Sequence, residues 1–207
     1  MFRLDNILER WATIYSPLKH DVVLHPSYFR IGMIDANSFF VRNFSKMSGC
    51  CMAYATHIDA ELAQQNPKQI SYRHVIYFLA KQQAGTLSKT QITDEDAATE
   101  ARFKTDAMVQ DLLAVLFMLK SLTNGKSLPS IQGGVGGESP LPDDVQQFLR
   151  HISADAQYHE GLRGLQLDQA HWGTLPTALN GWQLCGLTIE QLTPRNLCIN
   201  PEKYIRD

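Results

Sequence analysis

Two stretches in which apolar side chains recur with a period of two do most to limit how this chain can fold. They are residues 51–62 and residues 70–81. This period indicates β-strands, because successive side chains of a strand point to opposite faces. Residues 64–68, which read Gln-Gln-Asn-Pro-Lys, have the composition of a turn. The pattern therefore predicts an antiparallel hairpin.

The second strand of this hairpin carries apolar side chains on both faces. One face holds Tyr72, His74, Ile76 and Phe78, and the other holds Val75, Tyr77 and Leu79. A strand that is apolar on both sides lies inside a sheet and is covered from both directions. We expect a helix on one side and a neighbouring subunit on the other. The candidate subunit interface comprises Tyr72, Val75, Tyr77 and Leu79.

The longest predicted element is a helix over residues 94–122. Thr93 is a suitable N-cap, and the acidic residues at 94–96 lie where the helix dipole favours negative charge. Four leucines between 112 and 119 supply a buried stripe. Asn124-Gly125 ends the helix, because glycine tolerates the left-handed conformation found after helix C-termini.

Shorter patterns complete the element order. We predict helices over 4–15, from Asp35 through Phe44, and over 143–152. We also predict a loop over residues 20–26, a short strand over 28–34, and a second strand pair over 162–167 and 182–192. Strands interrupted by one long helix are typical of an α+β fold. The expectation is an antiparallel sheet built from two hairpins and packed by one long helix and shorter helices. Residues 1–192 form one domain, and residues 193–207 form a C-terminal arm.

A glycine-rich segment over residues 126–142 is predicted to be a flexible, exposed loop. It contains Gly133, Gly134, Gly136 and Gly137. It does not fit a phosphate-binding loop, because Gly125-Lys126-Ser127 follows a helix and has Lys120 at the position where the motif needs an earlier glycine. We interpret these four glycines as part of a partner-facing loop.

Composition argues against several functional classes. The chain has 207 residues, 19 basic and 21 acidic side chains, and a net charge of −2, without the basic excess of a dedicated nucleic-acid binder. No apolar run reaches the roughly 18 residues that are needed to span a bilayer. The first residues of the sequence do not have the pattern of a secretory signal peptide. We therefore expect synthesis in the cytoplasm, no membrane partner and no sequence-specific nucleic acid. Four cysteines at 50, 51, 185 and 198 form no disulfide framework.

Motifs for metal binding and catalysis are weak. The seven histidines include no His-Glu-x-x-His helix, and no Gly-x-Ser-x-Gly elbow occurs, so we predict neither a metal nor another cofactor. A thiol–imidazole pair between Cys50 or Cys51 and His57 or His74 is chemically feasible, although core packing explains the same residues. The primary prediction is a protein that is not an enzyme. The alternative is a small enzyme or ligand-binding module with a site near His57, His74 and Cys185.

The size, the near-neutral charge and the order of helix, hairpin, long helix, loop and hairpin resemble the tail terminator and tail-completion proteins of tailed bacteriophages and contractile injection machines. The resemblance covers most of residues 1–192 and rests on element order, so it transfers no functional residue. It implies a virion structural subunit that forms a hexameric ring on the tail tube, with copies of itself and tail tube or neck proteins as partners. The strand 70–81 would then lie in the ring interface, and the loop 126–142 would face the tube, the neck or the channel.

Overall fold

The computed structural model describes residues 4–32, 36–43, 47, 49–55, 59–62, 69–82, 94–126, 131–133, 137–139, 141–179 and 181–194. The helices are α1 (Leu4–Ile14), α2 (Ala36–Asn43), α3 (Asp94–Thr123), α4 (Asp143–Ala154) and α5 (Ala156–Gly164). The strands are β1 (Tyr28–Ile31), β2 (Cys50–Ala55), β3 (Asp59–Leu62), β4 (Gln69–Lys81), β5 (Ile131–Gly133), β6 (Gly137–Ser139), β7 (Leu165–Leu179) and β8 (Trp182–Pro194). The fold is α+β, as predicted.

Six strands form the main sheet in the order β1-β2-β4-β8-β7, with β3 also paired to β4. The two predicted hairpins are antiparallel, and the pairing of β4 with β8 joins them in one sheet. The strand β1 was not assigned a partner from sequence, and it pairs with β2 in parallel. The prediction for the second hairpin was too short at its first strand. Residues 162–164 belong to α5, and β7 extends to Leu179 with irregular register.

One face of the sheet, the inner face, is covered by α1, α3, α4 and α5. Its core includes Trp11, Met52, Ile76, Phe78, Leu112, Leu116, Leu149, Leu162 and Leu187, all almost fully buried. The helix α3 supplies the predicted leucine stripe because Leu112, Leu116 and Leu119 recur at helical spacing on its buried side. The apolar side chains on the inner face of β4 therefore pack into a hydrophobic core that helices of the same chain complete.

The other face, the outer face, has a smaller core under α2. It consists of Ile31, Phe40, Met47, Cys51, Ala53, Leu79, Trp182 and Leu184. Phe40 projects from α2 and is completely buried in this cluster. We expected a neighbouring subunit to cover this face, but α2 covers the end of β4 that contains Leu79. The described part of the chain thus closes the outer face only in part.

The glycine-rich segment contains more regular structure than predicted. Gly133 ends β5 and Gly137 begins β6, and the two short strands pair as a hairpin that is separate from the main sheet. Gly134 and Gly136 lie outside the described residues. A strand pair of three residues each is compatible with high glycine content because backbone hydrogen bonds, and not side-chain packing, define it.

Candidate protein-contact surfaces

The four residues of the predicted subunit interface lie on different sides of the sheet. Val75, Tyr77 and Leu79 share the outer face, whereas Tyr72 alternates to the inner face and is half-buried. Leu79 has no exposed surface, because the cluster under α2 encloses it. Of the four, Val75 and Tyr77 are therefore the residues that present partly exposed side chains on the outer face.

We define the outer strip as Val75, Tyr77, Gly186 and Thr188. Val75 is paired across β4 and β8 with Thr188, and Tyr77 is paired with Gly186. All four residues are half-buried. Gly186 is in turn paired with Gly173 of β7, so two adjacent strands present no side chain beside the Tyr77 ring. A strand surface without side chains allows another backbone to approach closely.

The outer strip is bounded by features that fix its shape. The Tyr77 ring meets the Phe40 ring edge to face, with centroids 5.8 Å apart at 84°. At the other end, the exposed Arg73 lies directly opposite Glu190 on the neighbouring strand. The strip is consequently an uncharged surface between an aromatic contact and a pair of opposite charges.

A second exposed apolar feature lies in the turn between α1 and β1. Val22, Val23 and Leu24 are exposed to 73%, 85% and 85% of their surface. We predicted a loop over residues 20–26 without assigning it a role. The signal that was available is the run of three aliphatic residues inside a loop, where polar residues are the rule. We call residues 21–25 the apolar turn.

Hydrogen bonds hold the apolar turn in one conformation. The carboxylate Oδ1 of Asp21 accepts from the backbone N–H of Val23 at 2.8 Å and of Leu24 at 2.7 Å. The backbone groups of Asp21 and His25 form a reciprocal pair at 3.0 and 3.1 Å. The N–H of Leu24, followed by that of Val23, holds the pKa of the Asp21 carboxyl below its ordinary value. The carboxylate that organises the turn is therefore ionised near neutral pH.

His20 anchors the base of the apolar turn. Its Nδ1 accepts from the backbone N–H groups of Ser27 and Tyr28, both at 3.1 Å. A nitrogen that accepts two hydrogen bonds carries no proton, so His20 is neutral with its proton on Nε2. Burial lowers the pKa of His20, which agrees with this assignment.

The outermost strand β7 provides a third exposed surface. Residues 171–174 are all exposed, and Trp172 shows 47% of its surface to solvent. Among the described strands, β7 has β8 on one side and none on the other. An uncovered strand edge with a large aromatic side chain can add a further strand from another chain.

The alternative site near His74 is a buried hydrogen-bond network. His74 Nε2 lies 2.8 Å from Gln191 Oε1, and His74 Nδ1 lies 2.9 Å from the Tyr54 hydroxyl. Because the amide oxygen can only accept, Nε2 carries the proton and Nδ1 accepts from Tyr54. Burial lowers the pKa of His74, while the bond to Gln191 acts in the opposite direction. All three side chains are almost fully buried.

The structure does not bring His74 and Cys185 together. Cys185 is paired with Phe78, four residues along β4 from His74, which corresponds to about 13 Å. Burial raises the pKa of the Cys185 thiol to about 11, so it is protonated near neutral pH. His57, the third residue of the alternative site, lies outside the described residues. His74 therefore forms no thiol–imidazole pair with Cys185. Cys50 and Cys51 are paired with Ala80 and Leu79, six and five residues along β4 from His74, so neither forms such a pair with His74.

Two further structural tests give negative results for the described ranges. Within them, no group of three or more His, Cys, Asp and Glu side chains is arranged to hold a metal ion. None of the helices in the part of the chain that the structure describes is long and apolar enough to cross a membrane.

Comparison with known proteins does not assign this chain to a family. No protein-family model matches the chain, and searches of the curated proteins and of the solved structures found no match.

Proposed function

We propose that this protein is a structural subunit that assembles with copies of itself. The observation that carries the proposal is the outer strip, a half-exposed and uncharged sheet surface beside the part of the same face that α2 covers. The exposed apolar turn and the open edge of β7 support it, because apolar side chains and strand edges held in solvent are typical of protein-contact surfaces.

The particular form that we propose is a ring-forming tail terminator or neck subunit of a phage tail or contractile injection machine. Its support is the element order, which runs helix, strand, short helix, three strands, long helix, hairpin, two short helices and a long hairpin. In such a ring, the outer strip would contact the neighbouring copy. The β5–β6 hairpin with Gly133 and Gly137 would face the tail tube or a neck protein.

Val75→Asp tests the role of the outer strip in assembly. A carboxylate there would lose water on assembly without gaining a partner, so its burial opposes association. We expect a dissociation constant at least about tenfold higher, equivalent to about 1.4 kcal/mol. The measurement is native mass by light scattering over a concentration series, and negative-stain imaging of the wild-type assembly tests for a ring.

Two matched variants control for folding and for charge. Val75→Thr keeps the β-branched shape without a charge and should assemble like the wild type. Gln147→Glu adds one negative charge at an exposed position of α4, far from the outer face, and should also leave the mass unchanged. If folded Val75→Asp assembles as well as these controls, the outer strip is not the interface. A wild-type chain that is monomeric throughout the series refutes self-assembly.

A further inference from the structure

The helix α3 carries apolar side chains on its solvent side as well as on its core side. Phe103 and Phe117 are 69% and 46% exposed, and Ala107 and Ala114 are exposed between them. A helix that packs against one core normally presents polar residues to water on the opposite side. The exposed Gln110 lies at the centre of this apolar row. We call these five residues the α3 ridge.

The spacing of the α3 ridge is that of one helix of a coiled coil. Successive members are 4, 3, 4 and 3 residues apart. This alternation keeps the side chains on one side of a helix, where two helices pack as knobs into holes. One set of positions holds the large side chains of Phe103, Gln110 and Phe117, and the other set holds Ala107 and Ala114. Large and small side chains therefore alternate along the ridge.

This alternation fits a second copy of the ridge that runs in the opposite direction. Reversal of one helix sets the large positions of each copy against the small positions of the other. Phe103 of one copy then lies against Ala114 of the other, and Gln110 lies against Ala107. In a parallel pair, two phenylalanines would meet in one layer and two alanines in the next, although the distance between helix axes depends on the side chains at the contact. The ridge is thus complementary to itself about a two-fold axis.

The charges beside the ridge favour one register of this antiparallel pair. Lys104 and Asp111 are exposed on one flank of α3, seven residues apart. In the register that sets Phe103 against Ala114, Lys104 of each copy lies opposite Asp111 of the other. A shift by one heptad in either direction sets Lys104 against Lys104 or Asp111 against Asp111. Opposite charges therefore stabilise this register, and like charges oppose its neighbours.

Both charged groups have a partner in their own chain and retain the capacity for a second. Lys104 Nζ lies 2.6 Å from Glu100 Oε1, and an ammonium group has three donors. Asp111 Oδ2 accepts from the Tyr15 hydroxyl at 2.6 Å, and a carboxylate has two acceptor oxygens. Contact between Lys104 and Asp111 of two copies therefore does not require either internal bond to break.

We propose that two copies of this chain pair antiparallel through their α3 ridges about a two-fold axis. The inference rests on the proposed self-assembly and adds a second contact to it. Because α3 covers the inner face, the ridge and the outer strip lie on opposite sides of the sheet and can be occupied together. The ridge spans only about 22 Å of helix, so we expect a reversible pair.

The test measures this pair in a chain whose outer strip is blocked by Val75→Asp. We expect a two-copy species by light scattering over a concentration series. Adding Ala107→Glu and Ala114→Glu places four carboxylates in the contact and should raise the dissociation constant at least about tenfold. Both positions are exposed, and glutamate is a good helix former, so the fold is retained. The matched control, Gln147→Glu with His151→Glu, changes two exposed positions of α4 and should leave the pair intact.

Reciprocal charge variants in the same background test the register. Lys104→Glu sets a glutamate against Asp111 of the other copy, and Asp111→Lys sets a lysine against Lys104. Each variant alone should raise the dissociation constant at least about fivefold at low ionic strength, where exposed charges are least screened. An equimolar mixture of the two variants restores opposite charges at both contacts. The mixture should therefore pair as tightly as the Val75→Asp chain.

The outcomes separate this inference from the proposed outer strip. A Val75→Asp chain that is monomeric at every concentration overturns the ridge contact, although it agrees with an interface at the outer strip. Unchanged mass after Ala107→Glu with Ala114→Glu also overturns the ridge contact. Dissociation of both charge variants without recovery in their mixture has the same consequence, since the ridge then binds a different surface. Failure of the outer strip shows instead as wild-type mass in Val75→Asp, and the ridge variants then report on the remaining assembly.

Discussion

Tyr54→Phe should destabilise the protein through the buried network around His74. The substitution removes only the hydroxyl that donates to His74 Nδ1 and keeps the aromatic ring in place. Tyr54 is 3% exposed and His74 is 1% exposed, so water does not readily replace the lost donor. The perturbation is therefore confined to one hydrogen bond in the core.

The expected cost follows from the burial of the acceptor. A typical hydrogen bond contributes about 0.5–1.5 kcal/mol net, but a buried acceptor that loses its donor costs about 1–3 kcal/mol. Removal of one oxygen leaves little cavity, so packing adds little to this value. We predict a decrease of about 1–3 kcal/mol in the free energy of unfolding. For a chain of this size, each kcal/mol corresponds to about 2–4 °C in melting temperature.

Urea unfolding followed by tryptophan fluorescence measures this change. Trp11 is buried in the inner core and Trp182 in the outer core, so the signal reports both faces of the sheet. The matched control is Tyr72→Phe. It removes a hydroxyl from a half-buried residue that lies on the same face of β4 as His74. We expect the control to change stability by less than about 0.5 kcal/mol. Equal effects of the two variants would refute the argument that this network is sealed from water.

Two other predictions concern protonation and close packing. The pKa of His20 is lower in the folded chain than its ordinary value of about 6.5, so stability should decline as pH falls below that value. His20→Asn, whose amide oxygen can replace Nδ1 as acceptor, should reduce the decline in the urea midpoint; an unchanged decline would contradict this cause. Gly164→Ala should cost about 1–3 kcal/mol, because its Cβ would lie 2.2 Å from the carbonyl oxygen of Leu192. A Cβ on Gly173 would have no heavy atom within 4 Å, so Gly173→Ala should leave the free energy of unfolding nearly unchanged in the same assay. Equal destabilisation by the two substitutions would refute the steric argument.

The candidate surfaces could be predicted from sequence only in part. The period-two pattern identified Val75 and Tyr77 as residues of one face, and the structure confirms that they share it. Burial of Leu79 could not be predicted, because it depends on Phe40, which lies 39 positions earlier in the chain. The exposure of the apolar side chains in the turn was not predicted, because assigning a segment as a loop does not indicate which of its side chains face solvent.

The sequence by itself determined the elements whose signal is local. The alternation over β4 and the leucine spacing of α3 arise from side-chain directions within one strand or helix, so a single segment is sufficient to read them. The tertiary structure decided the parallel pairing of β1 with β2, the merging of two hairpins into one sheet, and the contact between His74 and Gln191. These features join segments that are distant along the chain, and their free energy comes from burial and hydrogen bonding that exist only after the segments meet.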